Sequence, residues 1–409
     1  MPIPRHYLSL SQKEIIKAIK SIFNHRIYDN KIIGEFEEKF SDYIGTKYAI
    51  ATSSARMALY LILKVLDIGK GSEVILPVYT DIVVPSVIAH TGAKPVFVDI
   101  EEDTYNIDPD KVEDVISKKT KAIIPVHLYG NPCDMDRIMK IASANNLYVI
   151  EDCAHALGAK YKDKKVGSIG NAGYFSFSLG KHITTGSGGI ITTNDIELIL
   201  KIKNELRRYP YPNTFNILKN LSFLSLIKIL TSHAIFDSFT YLIILTLNEF
   251  NYPLTEKIFK HDERVSQVLK GYKNKFTIAQ ALLGIQQLKK IDELNNKRRN
   301  NAILLTKLLE KFKEIKLPKE RNGVKHVFLR YTIRIKERDR VRKLLLRRGI
   351  DTGIDYDYLC NEFFNDRKNY PIANRISKEV LNLPIHPNIK QEEILQIYHS
   401  LRFVLGNLS

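Results

Sequence analysis

Residues 48–100 read YAIATSSARMALYLILKVLDIGKGSEVILPVYTDIVVPSVIAHTGAKPVFVDI. Three short runs rich in β-branched residues, YAIAT, EVILP and KPVFVDI, alternate with the helix-like ALYLILKVL and a second helix toward His90. Apolar strands separated by amphipathic helices predict a mostly parallel sheet, because parallel neighbours need a crossover and the crossover helices cover both faces. The alternation runs on to Thr193 through a helix starting near Asp108–Pro109, the run KAIIPVHLYG, a helix from Asp134 to Asn145, then YVIEDCA, YFSFS and GGIITT. In such sheets ligands lie outside the carboxyl ends of the strands. The loops Thr52–Arg56, Pro77–Asp81, His127–Asn131, Asp152–His155 and Ser176–Lys181 are therefore the candidates for a binding site.

Between Arg207 and Tyr272 the pattern changes to a long apolar stretch containing NILKNLSFLSLIKIL and FTYLIILTL, interrupted by Lys228, His233 and Asp237. Its uninterrupted apolar run is about nine residues, whereas a helix that spans a bilayer needs about twenty. Helices packed on the body or on a partner subunit are the expected reading, with membrane contact through residues 215–250 the less favoured one. From Thr277 onward a long helix pair is expected through IAQALLGIQQLKKIDELNNKRRNNAILLTKLLEKF, followed by a strand in VFLRYTIRI and a helix in RDRVRKLLLRRG. The expected fold class is α/β: a mostly parallel sheet sandwiched by helices, with a smaller C-terminal α+β domain. Residues 1–270 form the large domain, with an apolar helical insertion at 207–270, and residues 271–409 hold the long helices and the small domain.

A chain of 409 residues exceeds what one hydrophobic core usually supports, which agrees with two domains. The formal charge of +17 points to an anionic partner: nucleic acid, an acidic membrane surface or a phosphorylated small molecule. The basic residues are spread over helical stretches such as Lys297–Arg299 and Arg340–Arg348 without a zinc-finger or RRM signature, so nucleic acid is not expected. Cys133, Cys153 and Cys360 are too scattered for a disulfide framework or a zinc cluster. A reducing cytoplasm is the expected compartment, and the N-terminal MPIPRHYLSLSQKEI lacks the apolar core of an export signal.

The stretch with most chemistry is Tyr148–Thr193, YVIEDCAHALGAKYKDKKVGSIGNAGYFSFSLGKHITTGSGGIITT. Glu151 and Asp152 end a buried strand, where an ionised carboxylate is costly unless a cation pairs with it. A protonated pyridine nitrogen would be such a cation. Ser176 and Lys181 follow the next buried strand, and the glycines of GSGG let backbone approach closely. A lysine desolvated beside an aldehyde loses its proton more readily and can form an imine.

The order and spacing of EVILPVYT, GAKPVFVDI, EDCAHALGA, YFSFS, GKHITTGSGG, QALLGIQQL and ISKEVLNLPIHP resemble the DegT/DnrJ/EryC1/StrS aminotransferases. The resemblance spans nearly the whole chain, weakening only at Arg207–Tyr272 and Asp355–Asn369. It implies a fold-type-I pyridoxal 5'-phosphate enzyme, a homodimer with active sites at the subunit boundary. Lys181 matches the Schiff-base lysine, Asp152 the carboxylate that keeps the pyridine nitrogen protonated, His155 the residue lying against the cofactor ring, and Ser176 a hydroxyl on the cofactor phosphate. In SSARMAL, Ala55 and Arg56 stand where many relatives have Gly-Thr, so Arg56 either binds phosphate as a charge or is structural. The phosphate contact from the neighbouring subunit falls on Lys275, with Asn274 one step away. Asp81 stands where relatives carry an aromatic or small residue.

The resemblance implies transfer of an amino group, from glutamate, to a keto-sugar nucleotide in making an amino sugar for a surface polysaccharide or glycoconjugate. Lys181 argues against the sugar dehydratases of the family, which carry histidine there. Two other readings stay open: a transaminase for a cyclitol or other small ketone, and a catalytically silent protein that binds the cofactor within a membrane assembly. No metal is expected.

Overall fold

The computed structural model describes residues 1–23, 30–250 and 267–407. The strands expected from the sequence form as β1 (Tyr48–Thr52), β2 (Glu73–Pro77), β3 (Lys94–Val98), β4 (Thr120–Ile123) and β5 (Tyr148–Asp152). A short hairpin, β6 (Lys160–Tyr161) and β7 (Lys164–Lys165), precedes β8 (Ala172–Ser176) and β9 (Gly189–Thr193). Seven of these make one sheet in the order β1-β9-β8-β5-β4-β2-β3. From β3 to β8 every pairing is parallel, while β9 runs antiparallel to both β8 and β1. The reversal has a local cause. The chain returns from β8 to β9 through the Lys181 loop, and without a crossover helix a returning strand pairs antiparallel.

Helix starts follow the sequence closely because short polar side chains cap them. Ser54 accepts the N–H of Met57 at 3.2 Å to open helix Ala55–Val65, and Asp134 accepts that of Arg137 at 3.3 Å to open Met135–Ala144. Thr277 and Gln280 close a capping box on helix Ile278–Leu288. One face of the sheet buries Met57, Leu61, Ile62, Val87 and Ile202. The other buries Ile138 and Ile141 over its β4 side, and Phe36, Phe40 and Ile285 over its β9 side.

A second core surrounds the antiparallel pair β11 (Tyr331–Arg334) and β12 (Val380–Leu383), reached after the two-residue strand β10 (Val324–Lys325). It gathers Leu305, Ile333, Leu345, Leu381 and Leu401, and Ile3 from the far N-terminus. Helix Ile291–Leu309 joins the two bodies, with Ile291 in the core of the large one and Ala302, Leu305 and Leu309 in the small one. The mostly parallel α/β sheet and the smaller α+β unit are thus both present.

The apolar stretch forms helices Thr214–Leu230 and Tyr241–Glu249. Ile217, Leu221, Leu224 and Ile227 pack against Leu8, Leu10, Ile15 and Leu283. Among the described residues no single helix is long and apolar enough to cross a membrane; one pair, Thr214–Leu230 with His233–Glu249, has the length and composition together but is bent by 67°.

Candidate active site

The carboxyl ends of the strands surround a cavity of about 930 Å³. Four of the five loops singled out from the sequence line it, through Ser54–Arg56, Thr80–Asp81, Asp152 with His155, and Ser176 with Lys181. The fifth, His127–Asn131, acts from behind. Its Tyr129 sits at φ 57° and stacks on His155 with ring centres 6.1 Å apart. A tyrosine at positive φ costs about 1 kcal/mol or more, so the surrounding packing must hold it there. The Tyr129 hydroxyl, 3.0 Å from that of Tyr79, is part of that packing.

Lys181 follows Gly180, whose φ of 75° makes the turn. The Arg330 guanidinium donates to the Gly180 carbonyl at 3.2 Å and to the Asp355 carboxylate at 3.1 Å, clamping the backbone next to the lysine. The Lys181 amine itself makes no ion pair or side-chain hydrogen bond among the described residues. Burial lowers its pKa, and Arg330 adds to the lowering while Asp81, Asp355 and Asp152 oppose it. The result is an amine poised to lose its proton inside a cavity.

The carboxylates that end β5 part company because neighbours on a strand face opposite ways. Glu151 turns away from the cavity and accepts the N–H groups of Gly167, Ile169 and Gly170 at 2.7–2.8 Å, with His127 Nε2 at 3.1 Å. Its charge is therefore met by the protein itself. The expectation that the acidic pair as a whole awaits an external cation is corrected for this member. Replacing Glu151 by Gln should cost about 2–4 kcal/mol of stability, because an amide nitrogen then confronts buried N–H donors. Thermal unfolding of the variant checks this.

Asp152 is different. It lines the cavity, accepts the Tyr174 hydroxyl at 2.6 Å and the Ala154 N–H at 2.9 Å, and makes no ion pair among the described residues. Burial raises its pKa, with the Tyr174 hydrogen bond opposing. Such a carboxyl fits a cationic ring nitrogen. His155 presents its ring nearby, stacked on Tyr356 at 6.4 Å and 9°, and accepts the Tyr129 N–H on Nδ1 at 3.3 Å. Burial holds it far below the usual imidazole range, so it is neutral.

The start of helix Ala55–Val65 brings backbone N–H groups and a favourable dipole beside Ser176, whose hydroxyl is 3.1 Å from that of Ser178, an arrangement suited to an anion. Gly189 makes the approach possible, since a Cβ there would lie 2.5 Å from the Ala55 nitrogen. Arg56 serves the structure: it donates to the Val268 carbonyl at 3.2 Å and lies 4.1 Å over the Tyr272 ring. It also reaches the cavity wall, so the two alternatives for Arg56 are compatible. Asp81 is on the wall as well, with one oxygen accepting the Val83 N–H at 2.9 Å. Lys275, assigned to the neighbouring subunit's site, stays off this cavity with its ammonium 4.8 Å over the Tyr211 ring. Asn274 donates to the Gly271 carbonyl.

Sequence reasoning missed Arg5, His6, Arg330, Asp355 and Tyr356, all on the cavity wall. Nothing local marks them. They arrive from the N-terminus and the small domain by long-range packing, and Asp355 and Tyr356 open the Asp355–Asn369 stretch, where the family resemblance weakens.

Comparisons with known proteins agree with this geometry. The model of the DegT/DnrJ/EryC1/StrS aminotransferase family matches residues 10–219 and 246–402. The dTDP-3-amino-3,6-dideoxy-alpha-D-galactopyranose transaminase of Aneurinibacillus thermoaerophilus is 34% identical, over 95% of each chain. The GDP-perosamine synthase of Caulobacter vibrioides is 33% identical, over 92% of this chain and 90% of that one. The solved structure of an aminotransferase from Psychrobacter cryohalolentis is 28% identical, covers 100% of this chain and 99% of its own, and superposes with a TM-score of 0.78. The chain belongs to the DegT/DnrJ/EryC1/StrS aminotransferase family and is a pyridoxal-phosphate-dependent aminotransferase.

Proposed function

We propose that the enzyme transfers an amino group from glutamate to a keto-sugar carried on a nucleoside diphosphate, supplying an amino sugar for a surface polysaccharide or glycoconjugate. The observation that carries this is an amine and a carboxyl, Lys181 and Asp152, on the wall of one cavity, each without an ion-pair partner among the described residues. These are the two groups that pyridoxal phosphate requires at opposite ends of its reactive part. Lys181 would anchor it covalently, Asp152 would face its ring nitrogen, His155 its ring, and Ser176 with the Ala55–Arg56 helix start its phosphate. Bound there, the cofactor supplies an electron sink that stabilises charge on the carbon bearing the transferred nitrogen.

The protein's share is then specific. Tyr174 and the Ala154 amide fix Asp152 in orientation, keeping a negative charge where a protonated nitrogen needs it. With the cofactor bound, the Lys181 amine would hold and move the proton at the reacting carbon, and burial, which lowers its pKa, favours the neutral form that accepts one. Arg330 and Asp355 hold the loop so that this amine stays within reach.

The basic overall charge suits a diphosphate-bearing substrate, and the named activities of the relatives concern dTDP- and GDP-linked sugars. Lys181 disfavours a dehydratase. The proposal extends to a cytoplasmic homodimer in which Lys275 completes the neighbour's phosphate site, and to a division near residue 270 between the cofactor domain and the C-terminal part. The test is to load the enzyme with the amino group from glutamate and compare acceptors. A nucleotide-linked keto-sugar should react at least about tenfold faster than the free keto-sugar, a difference of about 1.4 kcal/mol. Equal rates, or preference for a free cyclitol ketone, would remove the nucleotide from the proposal.

A further inference from the structure

The helices that carry the apolar stretch present apolar residues on two faces. Among the described residues, nine of the eighteen exposed large apolar side chains lie between Phe215 and Phe250. That concentration, in a small part of the chain, sets the segment apart from the scattered exposed residues normal on a soluble surface. On the first helix Ile217, Leu221, Leu224 and Ile227 face the body, while Phe223, Leu226 and Ile229 face outward. Phe239, Leu242 and Ile243 continue the outer surface beyond the bend. Asn216, Lys219, Asn220 and Ser222 are exposed on the same helix, so its outer side is amphipathic, and the apolar part of that side is left facing water.

The family match omits residues 220–245. The match to the family pattern breaks over the arm, and no residue placed in the active site belongs to it. It is fixed to a second feature. Phe236, Tyr241 and Ile244 pack on Leu346, the Tyr241 hydroxyl donates to the Leu346 carbonyl at 2.7 Å, and Glu249 pairs with Arg347 at 3.0 Å. The arm therefore abuts helix Arg338–Arg347, and residues 336–348 carry seven Lys or Arg against two acids, Glu337 and Asp339.

We propose that this combined surface docks the active enzyme on an anionic lipid bilayer, with the outer apolar residues of 215–250 seated among the acyl chains and the neighbouring basic helix on acidic headgroups. Apolar side chains bordered by cations are what an interfacial element requires. A second copy of the chain fits less well, because an isologous pairing through this face brings two arginine-rich helices together. The 67° bend suits an element that lies in the interface and does not cross it.

The test is flotation of the full-length holoenzyme with phosphatidylcholine vesicles, with and without phosphatidylglycerol. Phosphatidylglycerol should raise the bound fraction at least about tenfold, and salt should reverse that gain. Phe239→Glu with Leu242→Glu should abolish binding while turnover in solution is unchanged, which shows the variant folded. Arg340→Glu with Lys343→Glu should remove the preference for the acidic lipid. Failure of the unaltered enzyme to float with acidic vesicles overturns the proposal. So does a fall in molar mass by light scattering in the Phe239→Glu, Leu242→Glu variant, which would make the face a contact between copies.

Discussion

Lys181→Ala is expected to abolish turnover and to remove the visible absorbance that a covalently anchored cofactor gives the protein. Two separate functions disappear with one amine. The side chain would both anchor the cofactor and move the proton at the reacting carbon, and among the described residues that line the cavity Lys181 is the only lysine. Lys275 is directed over Tyr211 and away from this wall. His182 follows directly in sequence but cannot substitute, because it is buried and its Nε2 lies 3.1 Å from the His155 carbonyl. Rates should fall to background, by a factor of about 10⁴ or more, in line with the loss of both nucleophilic and acid–base contributions. Single-turnover assays with glutamate measure this. Retention of activity within tenfold would place the chemistry on another residue.

Asp152→Asn should keep the fold and bind the cofactor, yet lose about 3 kcal/mol or more of transition-state stabilisation, roughly a hundredfold in kcat. The asparagine can still accept from Tyr174 or Ala154 through its carbonyl, so the geometry around it survives. What it lacks is the negative charge. A ring nitrogen facing a neutral amide loses its proton more readily, and electron withdrawal weakens. The prediction separates Asp152 from its neighbour Glu151: the first change should move kcat with little effect on unfolding, the second should move the unfolding temperature. Steady-state kinetics and thermal melts on both variants make the comparison. Near-normal kcat in Asp152→Asn would remove it from its role.

The sheet was legible because its signals are local. YAIAT, EVILP and KPVFV became β1, β2 and β3, and Asp134 and Thr277 opened their helices as capping residues do. Strand direction at the β9 edge was not legible, since apolar runs look alike whether their neighbours are parallel or antiparallel. In the site, Asp152, Ser176 and Lys181 stand out in sequence because they follow strands within one stretch of chain, and His155 through the family resemblance; the fold brings all four onto one cavity wall. Residue spacing left the roles of Glu151 and Asp152 joined, and only the alternation of side chains across β5 separated them. Arg330 and Asp355 carry no mark in sequence at all. They matter through a contact between the small body and the Gly180 carbonyl that only folding creates.

The central claim is that the amine of Lys181 anchors the cofactor. Borohydride reduction of the holoenzyme fixes that bond, and peptide mass spectrometry then locates the added mass. The account predicts modification on the peptide containing Lys181, at about one per chain. Modification at a different lysine, or none on that peptide in fully active enzyme, would contradict it.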